Sequence, residues 1–182
     1  MPLYGYVVII AGSVLWAIPF PLARSKDRRA LRLDSRARWG VALQAIGYSL
    51  LWQASFWTRS IALWRTGASV LLFATACLLS WTATGTLGQQ LRVDAALIAD
   101  HRLVCSGPYR VVRHPIYASM LAVLAGTGLL IAPWYLLLIG SAVFLVGTEV
   151  RMRTEDALLE SHFGQEFRQY RRAVKGLIPF VV

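Results

Sequence analysis

The sequence predicts an all-α integral membrane protein with five transmembrane helices, the last two forming a hairpin, followed by a cytoplasmic C-terminal amphipathic helix. Of the 182 residues, 57% are hydrophobic and 15% are charged, and the mean hydropathy is +0.53. This is too apolar for a soluble domain of this length. Long charge-free runs alternate with clusters of arginine. We interpret residues 1–182 as a single membrane domain.

The charge-free runs set the predicted spans. They occur at residues 1–23, 39–58, 66–91 and 115–148. A membrane helix needs about 20 apolar residues, so the first three runs predict one span each, near 3–22, 39–57 and 64–84. Basic residues follow the first run instead of preceding it, which is the reverse of a cleaved signal peptide, so we expect a transmembrane helix there.

The fourth run is too long for one span. As a single helix it would extend roughly 50 Å, against a hydrocarbon core of about 30 Å. Gly126, Gly128 and Pro133 lie in its middle and predict a turn between two short helices. The predicted fourth and fifth spans are therefore near 116–131 and 134–150.

The distribution of charge predicts the orientation. Five spans place every basic residue except Arg59 and Arg65 on one face of the membrane, together with all 9 acidic residues and all 3 histidines. The positive-inside rule puts this face in the cytoplasm and the N-terminus outside. A formal charge of +10 distributed in this way needs no nucleic acid as partner, and no basic–aromatic nucleic-acid module is present.

The tail after the fifth span carries an apolar stripe at helical spacing. Charged residues lie between its members, which predicts an amphipathic helix that packs on the bundle or lies at the membrane interface. Gly164 predicts a bend or a helix end within the tail. The stripe comprises Leu159, Phe163, Phe167, Tyr170, Val174 and Leu177.

Residues 107–120, GPYRVVRHPIYASM, bring positive charge to the start of the fourth span. Pro115 suits the first position of the helix. Positive charge on Arg113 and His114 is unfavourable beside the helix N-terminus, which is itself partly positive, unless a negative group completes the site. The hairpin should set these residues beside the acidic cluster 149–156, so we expect a charged pocket for a zwitterionic or polyhydroxylated ligand. No metal site is expected, because His114 has no His or Cys partner at ligand spacing. Alternatively, the arginines bind lipid headgroups and fix helix depth.

Two stretches together resemble a known family. LVCSGPYRVVRHPIYAS, followed by RMRTEDALLESHFGQEFRQYRRAV, resembles the isoprenylcysteine carboxyl methyltransferase family. That family belongs to a wider group of membrane methyltransferases that includes the phospholipid N-methyltransferases. The resemblance covers about residues 88–179, which it identifies as the cofactor-binding half. Glu155–Asp156 stands where the family pattern has two glutamates.

The resemblance implies that S-adenosylmethionine is the methyl donor, held between the last two helices and the cytoplasmic loop. It implies that Glu155 binds the ribose and that His114 contacts the methionine moiety. No catalytic residue is assigned, because in-line transfer to a carboxylate needs positioning and not a base. The cofactor-binding residues implied are His114, Tyr117, Glu155, Arg151 and Arg153, with Tyr109, Arg113 and Tyr170 as supporting contacts.

The acceptor is expected to be lipophilic or amphiphilic and to enter from the bilayer. The small residues Gly126, Gly128, Gly140 and Ser141 either give it space or simply pack helices. Carboxylate, amine and thiol acceptors all stay open, as does the oligomeric state. The alternatives are a phospholipid or small-amine N-methyltransferase, and a non-catalytic membrane protein whose basic face binds anionic lipid.

Overall fold

The structure, a computed structural model, describes residues 1–23, 32–33, 37–54, 60–88, 96–97 and 102–177, and these are predominantly helical. Part of the predicted charge distribution and the end of the second predicted span lie outside the described residues, namely Arg24, Lys26, Arg28, Arg29, Arg36, Arg59, Arg92 and residues 55–57. The helices are α1 (Leu3–Ala17), α2 (Pro19–Ala23), α3 (Ala37–Leu50), α4 (Leu63–Leu87), α5 (Pro115–Ile131), α6 (Trp134–Phe163) and α7 (Gln165–Ala173). Short 3₁₀ helices cover Leu51–Gln53 and Gly107–Arg110.

Among the described residues, three helical segments are long and apolar enough to cross a membrane. They are Leu3–Ala23, Leu63–Leu87 and Trp134–Phe163, and they contain the first, third and fifth predicted spans. The helix α5 is apolar but has 17 residues, and α3 has 14 because it ends at Leu50 instead of near residue 57. Large apolar side chains such as Val7, Leu71 and Ile139 are exposed on the outer surface, as a lipid-facing surface requires.

The predicted hairpin is confirmed. Ala132 and Pro133 separate α5 from α6, because Pro133 starts a new helix and cannot continue the old one. No proline lies within α6, and Gly164, which has a φ of 54°, ends the helix. This confirms the helix end predicted at Gly164. The 30 residues of α6 extend about 45 Å, so the helix continues well beyond a hydrocarbon core of about 30 Å.

Four glycines bring α3 and α6 into backbone contact. A Cβ on Gly40 would lie 2.7 Å from the carbonyl oxygen of Gly147, and one on Gly147 would lie 2.6 Å from the carbonyl oxygen of Gly40. Gly47 and Gly140 repeat this reciprocal contact at 2.6 Å and 2.7 Å. Such small residues let membrane helices approach closely.

The glycines that were considered for acceptor entry are also packing positions. A Cβ on Gly126 would meet Phe73 at 3.2 Å, and one on Gly128 would meet Leu137 at 2.5 Å. The ring of Phe73 also fills the space above Gly12 of α1, so α1, α4 and α5 pack around it. These contacts leave no gap for an acceptor at these glycines.

A short pair of strands, which the all-α prediction missed, links two of the basic connections. β1 (Arg32–Leu33) and β2 (Ala96–Leu97) pair antiparallel, with Arg32 opposite Leu97. Strands of two residues are too short to give a recognisable alternation in sequence. A parallel bridge between Val112 and Lys175 joins the tail to the second connection. Backbone pairings therefore link described residues of all three basic segments.

Candidate functional site

His114 occupies the junction between the polar connection and α5. It is the N-cap residue of that helix, with Pro115 at the first helical position. Its backbone N–H donates to the carbonyl oxygen of Gly176 at 3.0 Å, so the tail fixes the backbone just before the helix. The side chain is only 6% exposed and contacts two carboxylates of α6. A cation at this position lies beside the positive end of a helix.

Two adjacent carboxylates of α6 enclose the imidazole of His114. Asp156 Oδ1 lies 3.0 Å from Nε2, and Glu155 Oε2 lies 3.5 Å from Nδ1. Burial lowers the pKa of His114, but the hydrogen bonds to Asp156 and then Glu155 outweigh it and raise the pKa from 6.5 to about 9. His114 is therefore an imidazolium at neutral pH, with a carboxylate at each ring nitrogen.

Asp156 is the most connected carboxylate of the cluster. Its Oδ2 accepts a hydrogen bond from Nη2 of Arg113 at 3.1 Å and lies 3.8 Å from Nε of Arg171. The residue is 5% exposed. A buried carboxylate needs such partners, because an unpaired charge away from water is costly.

Tyr117 and Arg151 complete the opposite side of the cluster. The hydroxyl of Tyr117 donates to Oε1 of Glu155, and Nη2 of Arg151 lies 3.8 Å from the same oxygen. The guanidinium carbon of Arg151 lies 4.9 Å from the centroid of the Tyr117 ring, within the range of a cation–π contact. The Glu155 side chain is 28% exposed, more than its neighbours.

The tail closes the cluster from the other side. Nη1 of Arg113 donates to the carbonyl oxygens of Val174 at 2.6 Å and Arg171 at 3.1 Å. The hydroxyl of Tyr170 donates to the carbonyl oxygen of Tyr109 at 2.5 Å. Burial, and then the charge of Glu155, raises the pKa of Tyr109, which keeps its hydroxyl protonated.

A family model for the isoprenylcysteine carboxyl methyltransferase (ICMT) family matches residues 68–161. The match covers α5 and nearly all of α6, and with them both sides of the charged cluster.

The chain belongs to the isoprenylcysteine carboxyl methyltransferase family.

The relatives of this chain carry two kinds of name. The chain is 35% identical over 109 residues to the protein-S-isoprenylcysteine O-methyltransferase of Schizosaccharomyces pombe, covering 52% of this chain and 46% of that protein. It is 30% identical over 142 residues to the cobalt-zinc-cadmium resistance protein CzcN of Cupriavidus metallidurans, covering 78% of this chain and 62% of that protein. The nickel-cobalt-cadmium resistance protein NccN of Alcaligenes xylosoxydans xylosoxydans is 31% identical over 144 residues, covering 69% of this chain and 67% of that protein. The chain thus spans about half the length of the first relative.

Most of the predicted cofactor residues of this ICMT-family chain lie together. One does not, because the side chain of Arg153 is 79% exposed and pairs with Glu149 at 2.6 Å on the outer face of α6. Glu149, which the hairpin was expected to bring into the pocket, faces outward with it. The residues that do lie together are His114, Tyr117, Glu155, Arg151, Tyr109, Arg113 and Tyr170.

Three further residues of the cluster were not among the predicted site residues. Asp156 belongs to the acidic cluster 149–156 that was expected near Arg113 and His114, and its place beside Glu155 in the motif was the available signal. Arg171 is one of the charged residues between the members of the tail's apolar stripe. Gln44 of α3, whose Oε1 lies 3.4 Å from Nη1 of Arg151, gave no signal beyond being an amide within an apolar run.

The charged groups do not converge on a metal position. Asp156 and Glu155 approach opposite ring nitrogens of His114. Within the described part of the chain, no group of three or more His, Cys, Asp or Glu side chains is arranged to hold a metal ion.

An apolar groove lies beside the start of the GPY segment. It has a volume of about 570 Å³ and is lined by α4 side chains between Leu78 and Thr86 and by Gly107 and Pro108. Leu78 and Trp81 of this groove are exposed on the outer surface. The groove is therefore open on the side where lipid would lie.

Proposed function

We propose that this protein is an integral membrane methyltransferase that uses S-adenosylmethionine and methylates a lipophilic or amphiphilic acceptor, in the manner of isoprenylcysteine carboxyl O-methylation. The observation that carries the proposal is the buried cluster between α5 and α6. There the cations Arg113, His114 and Arg151 face the carboxylates Glu155 and Asp156. The family membership and the relative named as an O-methyltransferase support it.

The residues present fit S-adenosylmethionine. The cofactor has a carboxylate, an amino group, ribose hydroxyls and a sulfonium. Of Arg113, His114 and Arg151, Arg151 makes the longest contact with a carboxylate, 3.8 Å to Glu155, so it is the cation that we propose for the cofactor's carboxylate. Glu155 is the carboxylate open to a ligand and suits the ribose hydroxyls.

The Nε of Arg113 adds to this fit, because it is buried and has no hydrogen-bond partner among the described residues. Such a donor is normally satisfied by an acceptor or by water. The rings of His114 and Tyr117 stack with their centroids 5.6 Å apart, and these two residues are the ones proposed to contact the methionine moiety. Arg153 faces away, and we leave it out of the proposed site.

The protonation of the site favours an acceptor that needs no base. When bound, the cofactor supplies an electrophilic methyl group on its sulfonium. An acceptor carboxylate is already ionised at neutral pH, so the protein only has to orient it in line. His114 is protonated below a pKa of about 9 and so cannot take a proton from an amine or a thiol. A carboxylate acceptor therefore suits this site without a base, whereas an amine or a thiol would need Glu155 or water to take its proton.

The groove beside Gly107 and Pro108 is the proposed place for the apolar part of the acceptor. It opens on the lipid-facing surface, and its lining residue Pro108 directly precedes Tyr109, whose carbonyl oxygen accepts a hydrogen bond from Tyr170. An acceptor lying there would keep its apolar part out of water while its polar end faced the charged residues.

We propose a five-span arrangement with the N-terminus outside and the C-terminus and the site in the cytoplasm, in one membrane domain over residues 1–182 whose cofactor-binding half is about 88–179. The contacts of β1 with β2 and of Val112 with Lys175 support it, since they link described residues of all three basic segments. Cysteines introduced at positions 2 and 182 should be labelled from opposite sides of the membrane. Labelling from one side only would contradict the arrangement.

Calorimetric titration of the detergent-purified protein tests the function. Wild type should bind S-adenosylmethionine and S-adenosylhomocysteine. His114→Ala and Glu155→Ala should each weaken binding by roughly tenfold or more, since each removes a hydrogen bond to a charged group. Arg153→Ala is the matched control on the same helix and should bind as wild type does.

The outcomes separate the alternatives. No binding by wild type in several lipid and detergent mixtures would overturn the methyltransferase proposal. If the protein instead binds vesicles containing anionic lipid and Glu155→Gln leaves this unchanged, it is a lipid-binding protein, because headgroups need its cations and not its carboxylate. Transfer of radiolabelled methyl to a phospholipid or an amine, but not to a prenylcysteine carboxylate, would select N-methylation.

A further inference from the structure

Gln44 is a buried polar residue in the middle of α3. The residue is 4% exposed, in a helix that packs along α6 through Gly40 and Gly47. A primary amide away from water costs free energy unless its donors and acceptor are paired. The residue lies outside the matched segment 68–161 and outside both sequence motifs.

Thr148 on α6 fixes the orientation of this amide. The hydroxyl of Thr148 donates its hydrogen to the carbonyl oxygen of Phe144 at 2.9 Å. Its oxygen is then left to accept, and Nε2 of Gln44 donates to it at 2.9 Å. The amide oxygen of Gln44 must therefore point the other way, toward Arg151.

The amide oxygen meets the guanidinium of Arg151. Oε1 of Gln44 accepts from Nη1 at 3.4 Å, while Nη2 faces Glu155 and the plane lies over Tyr117. The close helix contact makes this possible, since a Cβ on Gly40 would lie 2.4 Å from Cγ of Arg151. Arg151 is therefore held on one side by the proposed site and on the other by α3.

We propose that Gln44 is a positioning residue of the cofactor site, which holds the Arg151 guanidinium where it can receive the carboxylate of the methyl donor. This rests on the proposed function. It gives the N-terminal helices, which carry no family motif, a part in cofactor affinity. A guanidinium held at both ends loses less freedom when it binds an anion than one that swings freely.

The test is titration of Gln44→Met with S-adenosylmethionine. Methionine keeps the chain length and removes both hydrogen bonds. We expect binding to weaken about tenfold, as for loss of one bond to a charged group. The matched control is Tyr48→Phe, one turn along the same helix, whose hydroxyl meets Thr127 at 3.3 Å and not Arg151. Its affinity should stay within about twofold of wild type.

A double-mutant cycle separates positioning from general loss of structure. In an Arg151→Met background, Gln44→Met should have no further effect on affinity, because its route to the cofactor is already gone. Additive losses in the cycle would overturn the inference. The inference would also be overturned if Gln44→Met bound S-adenosylmethionine as tightly as wild type does. In either case, binding of S-adenosylmethionine by the wild-type protein would leave the proposed function intact.

A second variant covers the case in which Gln44→Met does not fold, as judged by thermal unfolding in detergent. Thr148→Val keeps Gln44 and removes the hydroxyl that orients its amide. Affinity should then fall by about threefold, since the amide can rotate away from Arg151 part of the time. Unchanged affinity in this variant would overturn the inference. Absence of binding by wild type would instead overturn the methyltransferase proposal, and the inference with it.

Discussion

Asp156→Asn tests the electrostatic arrangement of the cluster, because this substitution keeps the shape and removes one charge. The two carboxylates raise the pKa of His114 from 6.5 to about 9, which corresponds to about 3 kcal/mol in favour of the imidazolium. Asp156 makes the shorter contact, 3.0 Å against 3.5 Å for Glu155. It should therefore account for the larger share. We expect the proton affinity of His114 to fall at least tenfold in the variant.

The sign of the stability change follows from the direction of the shift. The folded-state pKa of His114 lies above the unfolded value, so this interaction contributes fully below about pH 6.5. The contribution is lost as the pH rises through about 9. Wild type should therefore lose up to about 3 kcal/mol between these limits. At pH 7 the variant should be less stable than wild type by roughly 3 kcal/mol, because it leaves Arg113 without its carboxylate.

The assay is an NMR titration of labelled histidine in detergent, with the His114 signal assigned by its absence in His114→Gln. Thermal unfolding at pH 6 and pH 9.5 gives the stability difference. Glu160→Gln is the control, since Glu160 pairs with Arg168 and Arg171 at the surface and does not touch His114. If wild-type His114 titrated near 6.5, or if Asp156→Asn left its midpoint unchanged, the charge assignment would be refuted.

Two further predictions concern the fold around the site. Gly47→Ala should destabilise the protein by about 1–3 kcal/mol in thermal unfolding, because its Cβ would lie 2.6 Å from the carbonyl oxygen of Gly140. Gly67→Ala on α4 meets nothing within 4 Å and should be neutral or stabilising by up to about 1 kcal/mol; equal effects would contradict the proposed close contact. Arg113→Ala should release the tail and speed hydrogen exchange at residues 174–177, since two tail carbonyls lose their donor. Arg153→Ala should change hydrogen exchange at these residues little. Equal exchange rates in the two variants would count against the proposal that Arg113 holds the tail.

The helix hairpin and the meeting of the two motifs could be predicted from the sequence. Pro133 sets the break between α5 and α6 for a local steric reason, and antiparallel helices joined by a short turn must bring His114 near residues 149–156. The direction of each side chain could not be read in the same way. Glu149 and Arg153 fall on the outer face of α6 while Arg151 and Glu155 fall inside. That choice depends on which face of α6 meets α3 and α5.

The role of α3 was hidden because its contacts join residues more than 100 positions apart. The pair Gln44–Arg151 depends on reciprocal glycine contacts between two helices that are not neighbours in sequence. Small residues are common wherever membrane helices pack together. They do not say which other helix they meet. The strand pair Arg32–Leu97 was missed for a similar reason, since a two-residue pairing leaves no pattern.

The adjacent carboxylates of the second motif have different surroundings, which predicts different roles. Asp156 is buried and held by Arg113 and His114, whereas Glu155 is 28% exposed and contacts Tyr117. The shorter aspartate at position 156 therefore suits a structural role, in which it contacts Arg113 and His114 at short range. Glu155→Gln should lower S-adenosylmethionine affinity with a change in unfolding free energy below about 1 kcal/mol. Asp156→Asn should instead lower the free energy of unfolding more than it lowers S-adenosylmethionine affinity. If both substitutions lowered affinity and stability in the same proportion, the two carboxylates would share one role, and the site would have to be assigned to the pair.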